Sequence, residues 1–198
     1  MTLVLASTSA ARRAMLAAAG VAHEAVAANV DEAAAKASLL AQGLKARDMA
    51  DALAELKAVR VSQRMPGALV LGADQVLAAD DGTLFDKPES RDEARGHLRM
   101  LRGATHRLIS AAVIAENGRP VWRAADEARL TMRPFSDAFL ESYLDREWPE
   151  IAGCVGCYRL EALGVQLFSR IQGDHFTILG LPLLPLIDFL RTRGMLTS

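Results

Sequence analysis

The chain opens with a short apolar run, Leu3-Val4-Leu5, that stops at Ser7-Thr8-Ser9 and passes at once into an alanine-rich stretch carrying Arg12 and Arg13. A buried strand handed directly to a helix start is the first unit of an alternating strand and helix arrangement, and the rest of the chain continues it. The first helix is expected from about Ala10 to Ala19, with Gly20 at its C-terminal cap. His23 to Val30 reads as extended. A long helical region follows from roughly Ala33 to Arg64, broken at Gly43 and ended by Pro66-Gly67. Ala68 to Leu71 is a second apolar strand, and Asp80-Asp81-Gly82 a strong turn signal. Ser90 with Glu93 predicts a capping box and a helix that stops near Gly103. His106 to Ala115, Asn117-Gly118 and Pro120 to Ala124 read as a hairpin. Phe139, Leu140, Tyr143 and Leu144 line one face of a helix begun near Ser136, Gly153 to Phe168 is loop and strand, and Leu183 to Arg193 is a last helix closed by Gly194. The expected class is α/β, with residues 1–198 as a single domain built in two lobes.

The opening segment has a physical use beyond folding. Hydroxyl residues at a helix start, free backbone N–H groups, the positive end of the helix dipole and two guanidinium groups together suit a phosphate. Adjacent helical residues diverge by about 100°, so Arg12 and Arg13 are not expected to share one task. An ordinary capped surface helix with a solvated arginine pair fits the same segment. Asp74 reads as a carboxylate on a glycine-flanked turn just past a strand end, where ligands of α/β sheets bind. There it could hold a cation, accept a proton from water, or only satisfy local N–H groups. Asp31-Glu32 and Lys87-Pro88 carry the same ambiguity.

Several function classes are disfavoured. A formal net charge of -1 lacks the basic excess of a nucleic-acid binder. No apolar run approaches the roughly 18 residues of a membrane span. The N-terminus has no basic leader region and places Arg12-Arg13 inside the would-be apolar core, so a cytoplasmic protein is expected. Cys154 and Cys157 form a C-x-x-C pair, open to a redox or zinc-binding role or to two small hydrophobes beside glycines.

Taken together, Leu5-Ala6-Ser7-Thr8-Ser9 with Arg12-Arg13, Val30-Asp31-Glu32, Lys57-Ala58, Gly72-Ala73-Asp74-Gln75, Lys87-Pro88, Gly103 with His106, and Ile171-Gln172-Gly173-Asp174 through Gly180-Leu181-Pro182-Leu183 resemble the Maf family of nucleoside triphosphate pyrophosphatases, almost end to end. The resemblance implies a twisted mixed sheet flanked by helices in two lobes around a central cleft, as in inosine triphosphate pyrophosphatase-like folds. It implies hydrolysis of a nucleoside triphosphate to the monophosphate and pyrophosphate with Mg²⁺ or Mn²⁺. On that reading Asp74 is the proton acceptor, with Lys57 and Lys87 beside it. Ser7, Arg12 and Arg13 bind phosphate, and Glu32 with Asp74 holds the metal.

Base preference rests on Ala11, Gln75 and Glu161. The branch acting on 7-methylguanosine triphosphate resembles this chain in having Gln after the aspartate and a late Glu, whereas the thymidine and uridine triphosphate branch has Thr and Gln. A carboxylate accepts two hydrogen bonds and suits the donors of guanine's pairing edge; an amide supplies one donor and one acceptor. Ala10-Ala11 replace the Pro-Trp of the methylguanosine branch, and alanine cannot stack on a cationic base. Glu161 reads either as a solvated loop carboxylate or, with Tyr158 and Gly164 adjoining, as part of a pocket wall, and the wall is the expectation. A thymidine or uridine triphosphate pyrophosphatase, or a nucleotide-binding regulator of cell division without significant turnover, are the alternatives. A homodimer follows from the resemblance.

Overall fold

In the computed structural model, which describes residues 2–197, the first apolar run forms β1 (Leu3–Leu5), with all three side chains fully buried. It pairs in parallel on both edges, with β2 (His23–Ala25) through Leu3↔His23 and with β3 (Leu69–Ala79) through Leu3↔Leu69. A strand enclosed in this way has no solvent face, which is why its sequence is an unbroken apolar run. The intervening helix α1 (Ala10–Ala18) starts at Ser9, whose hydroxyl accepts from the Arg12 N–H, and Gly20 closes it at φ 71°. The extended segment expected from His23 to Val30 ends at Ala25, and Asn29 stands in the left-handed region at φ 52°.

The long helical region is two helices, α2 (Glu32–Ala41) and α3 (Ala46–Ser62), parted at Gly43. Asp31 caps α2 by accepting from the Ala34 N–H at 2.9 Å. The two differ in what they bury. No side chain of α2 is buried, whereas α3 buries Met49, Leu53, Lys57 and Val61 along one stripe at helical spacing.

β3 departs most from expectation. Gly72-Ala73-Asp74-Gln75 reads as a turn by composition, yet the strand runs on through these residues for 11 positions. Gly72 is there for proximity. A Cβ on it would lie 2.1 Å from the Ala54 carbonyl oxygen and 2.6 Å from the Ala58 nitrogen, both on α3. The missing side chain lets the helix backbone come down onto the strand instead of ending it.

Beyond Asp80-Asp81-Gly82 the chain turns back into β4 (Leu84–Phe85), antiparallel to β3. The helix α4 (Arg91–Leu101) begins at Ser90, whose hydroxyl accepts from the Glu93 N–H at 3.1 Å. The Glu93 carboxylate accepts from Glu89 N–H at 2.8 Å, one residue earlier than a standard box. β5 (Thr105–Glu116) and β6 (Arg119–Met132) are joined by Asn117-Gly118, both at positive φ, as a two-residue hairpin turn requires. The helix α5 (Asp137–Glu147), two 3₁₀ turns at Glu150–Gly153 and Leu163–Leu167, β7 (Phe168–Gln172), the one-turn α6 (His175–Ile178) and α7 (Leu183–Thr192) complete the chain. The seven strands form one mixed sheet, β2-β1-β3-β5-β6-β7 with β4 on β3, flanked by helices. Among the described residues no helix is long and apolar enough to cross a membrane.

The chain divides into two compact units. The first is Met1–Gln75, Ile109–Asp126 and His175–Ser198. Its core follows the pleat: Leu3, Leu5, Leu69, Leu71 and Ala73 pack with Met15, Leu16 and the α7 leucines, while Val4, Ala6 and Val70 pack with Val61 of α3.

The second unit is Val76–Leu108 and Glu127–Asp174. Leu98, Leu101, Leu108, Leu130, Leu140 and Leu144 are buried in it. Within this core the His106 ring meets the Tyr158 hydroxyl through Nε2 at 2.7 Å, both rings packing on Phe168. His106 Nδ1 is buried without a partner among the described residues. Burial lowers the imidazole pKa from 6.5 to about 4, with a weaker opposing pull from Asp80. The sign follows: between these values the unfolded chain holds a proton that the folded chain refuses, so stability falls as pH falls from 6.5 toward 4. The slope is about 1.4 kcal/mol per pH unit. Thermal melting across this window should show that loss, and His106→Gln should flatten it; an unchanged slope in the variant would clear His106 of the effect.

Candidate functional site

In the first unit the loop after β1 holds Ser7, Thr8 and Ser9. The Ser7 hydroxyl accepts from the Ser9 N–H at 3.2 Å and from the Arg12 guanidinium at 3.4 Å. Arg12 is also anchored through Nε to the Gly180 carbonyl at 2.8 Å. Two fixed points on one half-buried guanidinium leave its remaining N–H groups aimed by the scaffold. Burial lowers the Arg12 pKa, while the charges of Asp74 and Glu32 act in the opposite direction. Arg13, one position on, is exposed. The pair therefore diverges as helical geometry requires, and only Arg12 is drawn into the network.

Asp74 is buried in the interior of β3, not on a turn. Its carboxylate accepts from Lys57 Nζ at 2.5 Å, and the same ammonium lies 3.0 Å from Glu32 Oε2. Lys57 reaches Asp74 because α3 sits close against β3 at Gly72, and Glu32 reaches Lys57 from the first turn of α2. The burial is graded. The side chains of Lys57 and Asp74 are 7% and 10% exposed, that of Glu32 51%. Lys57 Nζ, placed between the two carboxylates, draws them toward one point.

Those two acids are hard oxygen donors of the kind that bind Mg²⁺ or Mn²⁺, so the residues fit such a cation. Among the described residues no group of three or more His, Cys, Asp or Glu could hold a metal ion. A cation at Glu32 and Asp74 would complete its shell with water and phosphate oxygens, the usual habit of Mg²⁺.

Gln75 follows Asp74 and therefore points from the opposite face of the strand. Its amide nitrogen lies 3.0 Å from Ser110 Oγ, 3.1 Å from the Thr177 carbonyl and 2.9 Å from the Ile178 carbonyl. The amide N–H groups of Gln75 are thus directed at oxygens inside the protein. Ser110 and Thr177 were not among the site residues expected from the sequence, and Gly180 stood there only as part of a motif. The signal for Ser110 was present, a lone hydroxyl in the apolar run Leu108 to Ala115.

Ala11 is a half-buried residue in the first turn of α1. In the second unit Lys87 and Glu161 are both exposed, and both act on the Cys154 thiol, Glu161 raising its pKa and Lys87 lowering it. The segment carrying Glu161 is tied down by Arg159, which donates to the buried Glu147 through Nε at 3.1 Å and Nη2 at 2.9 Å. Tyr158 is buried against His106, and Gly164 backs onto the Arg159 backbone, where a Cβ would sit 2.4 Å from the carbonyl oxygen.

Cys154 and Cys157 close a turn, the Cys157 N–H donating to the Cys154 carbonyl at 3.1 Å. Burial pushes their pKa values up to about 11 and about 12. Thiols so held stay protonated, and the thiolate is the form that binds metal or attacks a disulfide. The pair is read as two small residues packed beside glycine.

The Maf-like protein family model matches residues 2–193. A nucleoside triphosphate pyrophosphatase of Sphingopyxis alaskensis is 54% identical over 195 residues, covering 98% of each chain. One of Caulobacter vibrioides is 57% identical over 195 residues, covering 98% of this chain and 97% of its own. Nucleoside triphosphate pyrophosphatase 1 of a Jannaschia species is 51% identical over 193 residues, again covering 98% and 97%. With a family match that spans nearly the whole length and relatives similar from end to end, the chain belongs to the Maf family.

Proposed function

We propose that this protein hydrolyses a nucleoside triphosphate to the monophosphate and pyrophosphate, with a guanine-type base, such as that of 7-methylguanosine triphosphate, as its preferred substrate. The observation that carries the reaction class is the Lys57 ammonium joining the Asp74 and Glu32 carboxylates, with Arg12 fixed in their field. Relatives named for this activity at 54% and 57% identity support it.

The chemistry assigns each group a task. A water oxygen bonds to the α-phosphorus, the bond to the bridging oxygen of the β-phosphate breaks, and pyrophosphate leaves. Asp74 accepts the water proton on the carboxylate oxygen that does not face Lys57, and that hydrogen bond fixes the acceptor's direction. Lys57 balances the charge of Asp74 before the transfer and faces the Glu32 carboxylate throughout. Ser7 and Arg12 bind phosphate oxygens, Arg13 meets the solvent side of the triphosphate, and Lys87 adds positive charge. A Mg²⁺ or Mn²⁺ ion held by Glu32 and Asp74, when bound, neutralises phosphate charge and makes bound water more acidic. Positioning and charge stabilisation are most of what phosphoryl transfer asks of a protein. Glu161, an acceptor-only carboxylate, suits the N–H groups of guanine's pairing edge. Small Ala11 leaves room beside the base. The pool acted on is that of free cytoplasmic nucleotides.

A pyrophosphate-release screen of the purified protein with Mg²⁺ or Mn²⁺ tests this. Guanosine and 7-methylguanosine triphosphates should exceed thymidine and uridine triphosphates in kcat/KM. The reverse order would overturn the base assignment, and inertness toward all four would overturn the reaction class.

A further inference from the structure

We infer that Gln75 is locked in one amide orientation and presents only its carbonyl oxygen to substrate, so that it selects a base offering a hydrogen-bond donor. The base-reading half of this rests on the pyrophosphatase reading above.

Three oxygens surround the Gln75 amide nitrogen: Ser110 Oγ at 3.0 Å, Thr177 O at 3.1 Å and Ile178 O at 2.9 Å. Two are backbone carbonyls, which only accept. The third behaves the same way. The Ser110 hydroxyl is fully buried and donates its one proton to Thr177 O at 2.7 Å, leaving lone pairs toward Gln75. Turning the amide over would therefore set its oxygen against three acceptors at hydrogen-bond distance. Two of these would have no way to adapt, and the loss of both donated bonds inside the unit adds to the cost. The turn that supplies the carbonyls is itself pegged, since Thr177 Oγ1 donates to Asp126 Oδ2 at 3.0 Å.

What remains is Oε1, which accepts from no described residue, on a half-buried side chain held beside the residues that lead to Gly180, the anchor of Arg12. Glutamine ordinarily reads either polarity; here one is removed. An acceptor held in this way asks a base for an N–H group. Guanine offers two kinds on one edge, at N1 and at the exocyclic amine, and a base that presents acceptors there leaves Oε1 unpaired.

Two measurements test the lock and its consequence separately. Gln75→Glu puts oxygen on both branches of the side chain, whereas Gln75→Met removes both polar groups without placing an oxygen against the carbonyls. Gln75→Glu should melt about 4 °C below Gln75→Met; melting at or above it would overturn the lock. On the wild type, 1-methylguanosine triphosphate, whose N1 donor is blocked, should lose about tenfold or more in kcat/KM against guanosine triphosphate, mainly through KM. In Gln75→Met that ratio should fall to within about twofold. A ratio unchanged by the substitution would overturn the reading of the base by Gln75. Failure of the wild type to cleave any nucleotide would overturn that reading together with the proposed function, while the melting comparison still judges the lock.

Discussion

Asp74→Asn is expected to lower the rate of pyrophosphate release by about 10³-fold while nucleotide binding stays close to wild type. Removing a positioned general base typically costs 10²–10⁴-fold. The variant is well suited to separate chemistry from architecture. Asparagine keeps an oxygen for the 2.5 Å contact from Lys57 Nζ, and Lys57 keeps Glu32 at 3.0 Å as a counter-charge. The fold and the α1 residues Arg12 and Arg13 are untouched. Rates from a continuous pyrophosphate assay, set beside calorimetric titration with a non-hydrolysable triphosphate, give the comparison. Turnover near that of the wild type would remove Asp74 from the role of proton acceptor, whereas equal losses in binding and rate would make it a binding residue instead.

Gly72→Ala should be the most damaging single methyl group in the first unit. The added carbon would arrive 2.1 Å from the Ala54 carbonyl oxygen and 2.6 Å from the Ala58 nitrogen, both backbone atoms with no rotamer to yield. Either α3 or β3 has to move, at a cost of about 3 kcal/mol, or about 6–12 °C in melting temperature for a chain of this size. Because α3 carries Lys57 toward Asp74, activity should fall with stability. Gly96→Ala is the matched comparison. That glycine lies inside α4 with nothing within 4 Å of a built Cβ, and the same substitution should stabilise by about 0.5–1 kcal/mol. Two melting curves decide it, and a Gly72→Ala variant as stable as the wild type would refute the close approach.

Gly72 also explains what could be read from the chain without a structure. Most elements were legible because their signals are local: Ser9, Ser90 and Ser136 at helix starts, Gly20 and Gly43 at helix ends, Asn117-Gly118 at the hairpin. The run Gly72-Ala73-Asp74-Gln75 has the composition of a turn, and only the neighbouring helix makes it strand. The extended reading of residues 23–30 failed in the opposite sense, since nothing pairs with the chain beyond Ala25 apart from the Val26 N–H, which donates to Leu5 O at 2.9 Å.

The site was legible as a set of residue types and not as a set of contacts. Lys57, Glu32 and Asp74 could be named, but that one ammonium joins both acids depends on how α2, α3 and β3 meet. The partners of Gln75 lie 35 and about 100 positions away, at Ser110 and in the turn of residues 177 and 178. No periodicity within a strand announces them. The cysteine pair was ambiguous for a related reason, since thiol reactivity is set by surroundings and not by spacing.

Asp74 and Gln75 are neighbours in sequence and opposites in direction, one committed to the helix that carries Lys57, the other to the turn at 177 and 178. The pleat thereby couples the carboxylate and the amide as two phases of a single strand. A slip of β3 by one residue past β1 would exchange them, turning the amide toward Lys57 and the carboxylate toward a nest of carbonyl oxygens. The two side chains cannot exchange faces by sliding; they are held in step by the register Leu5↔Leu71.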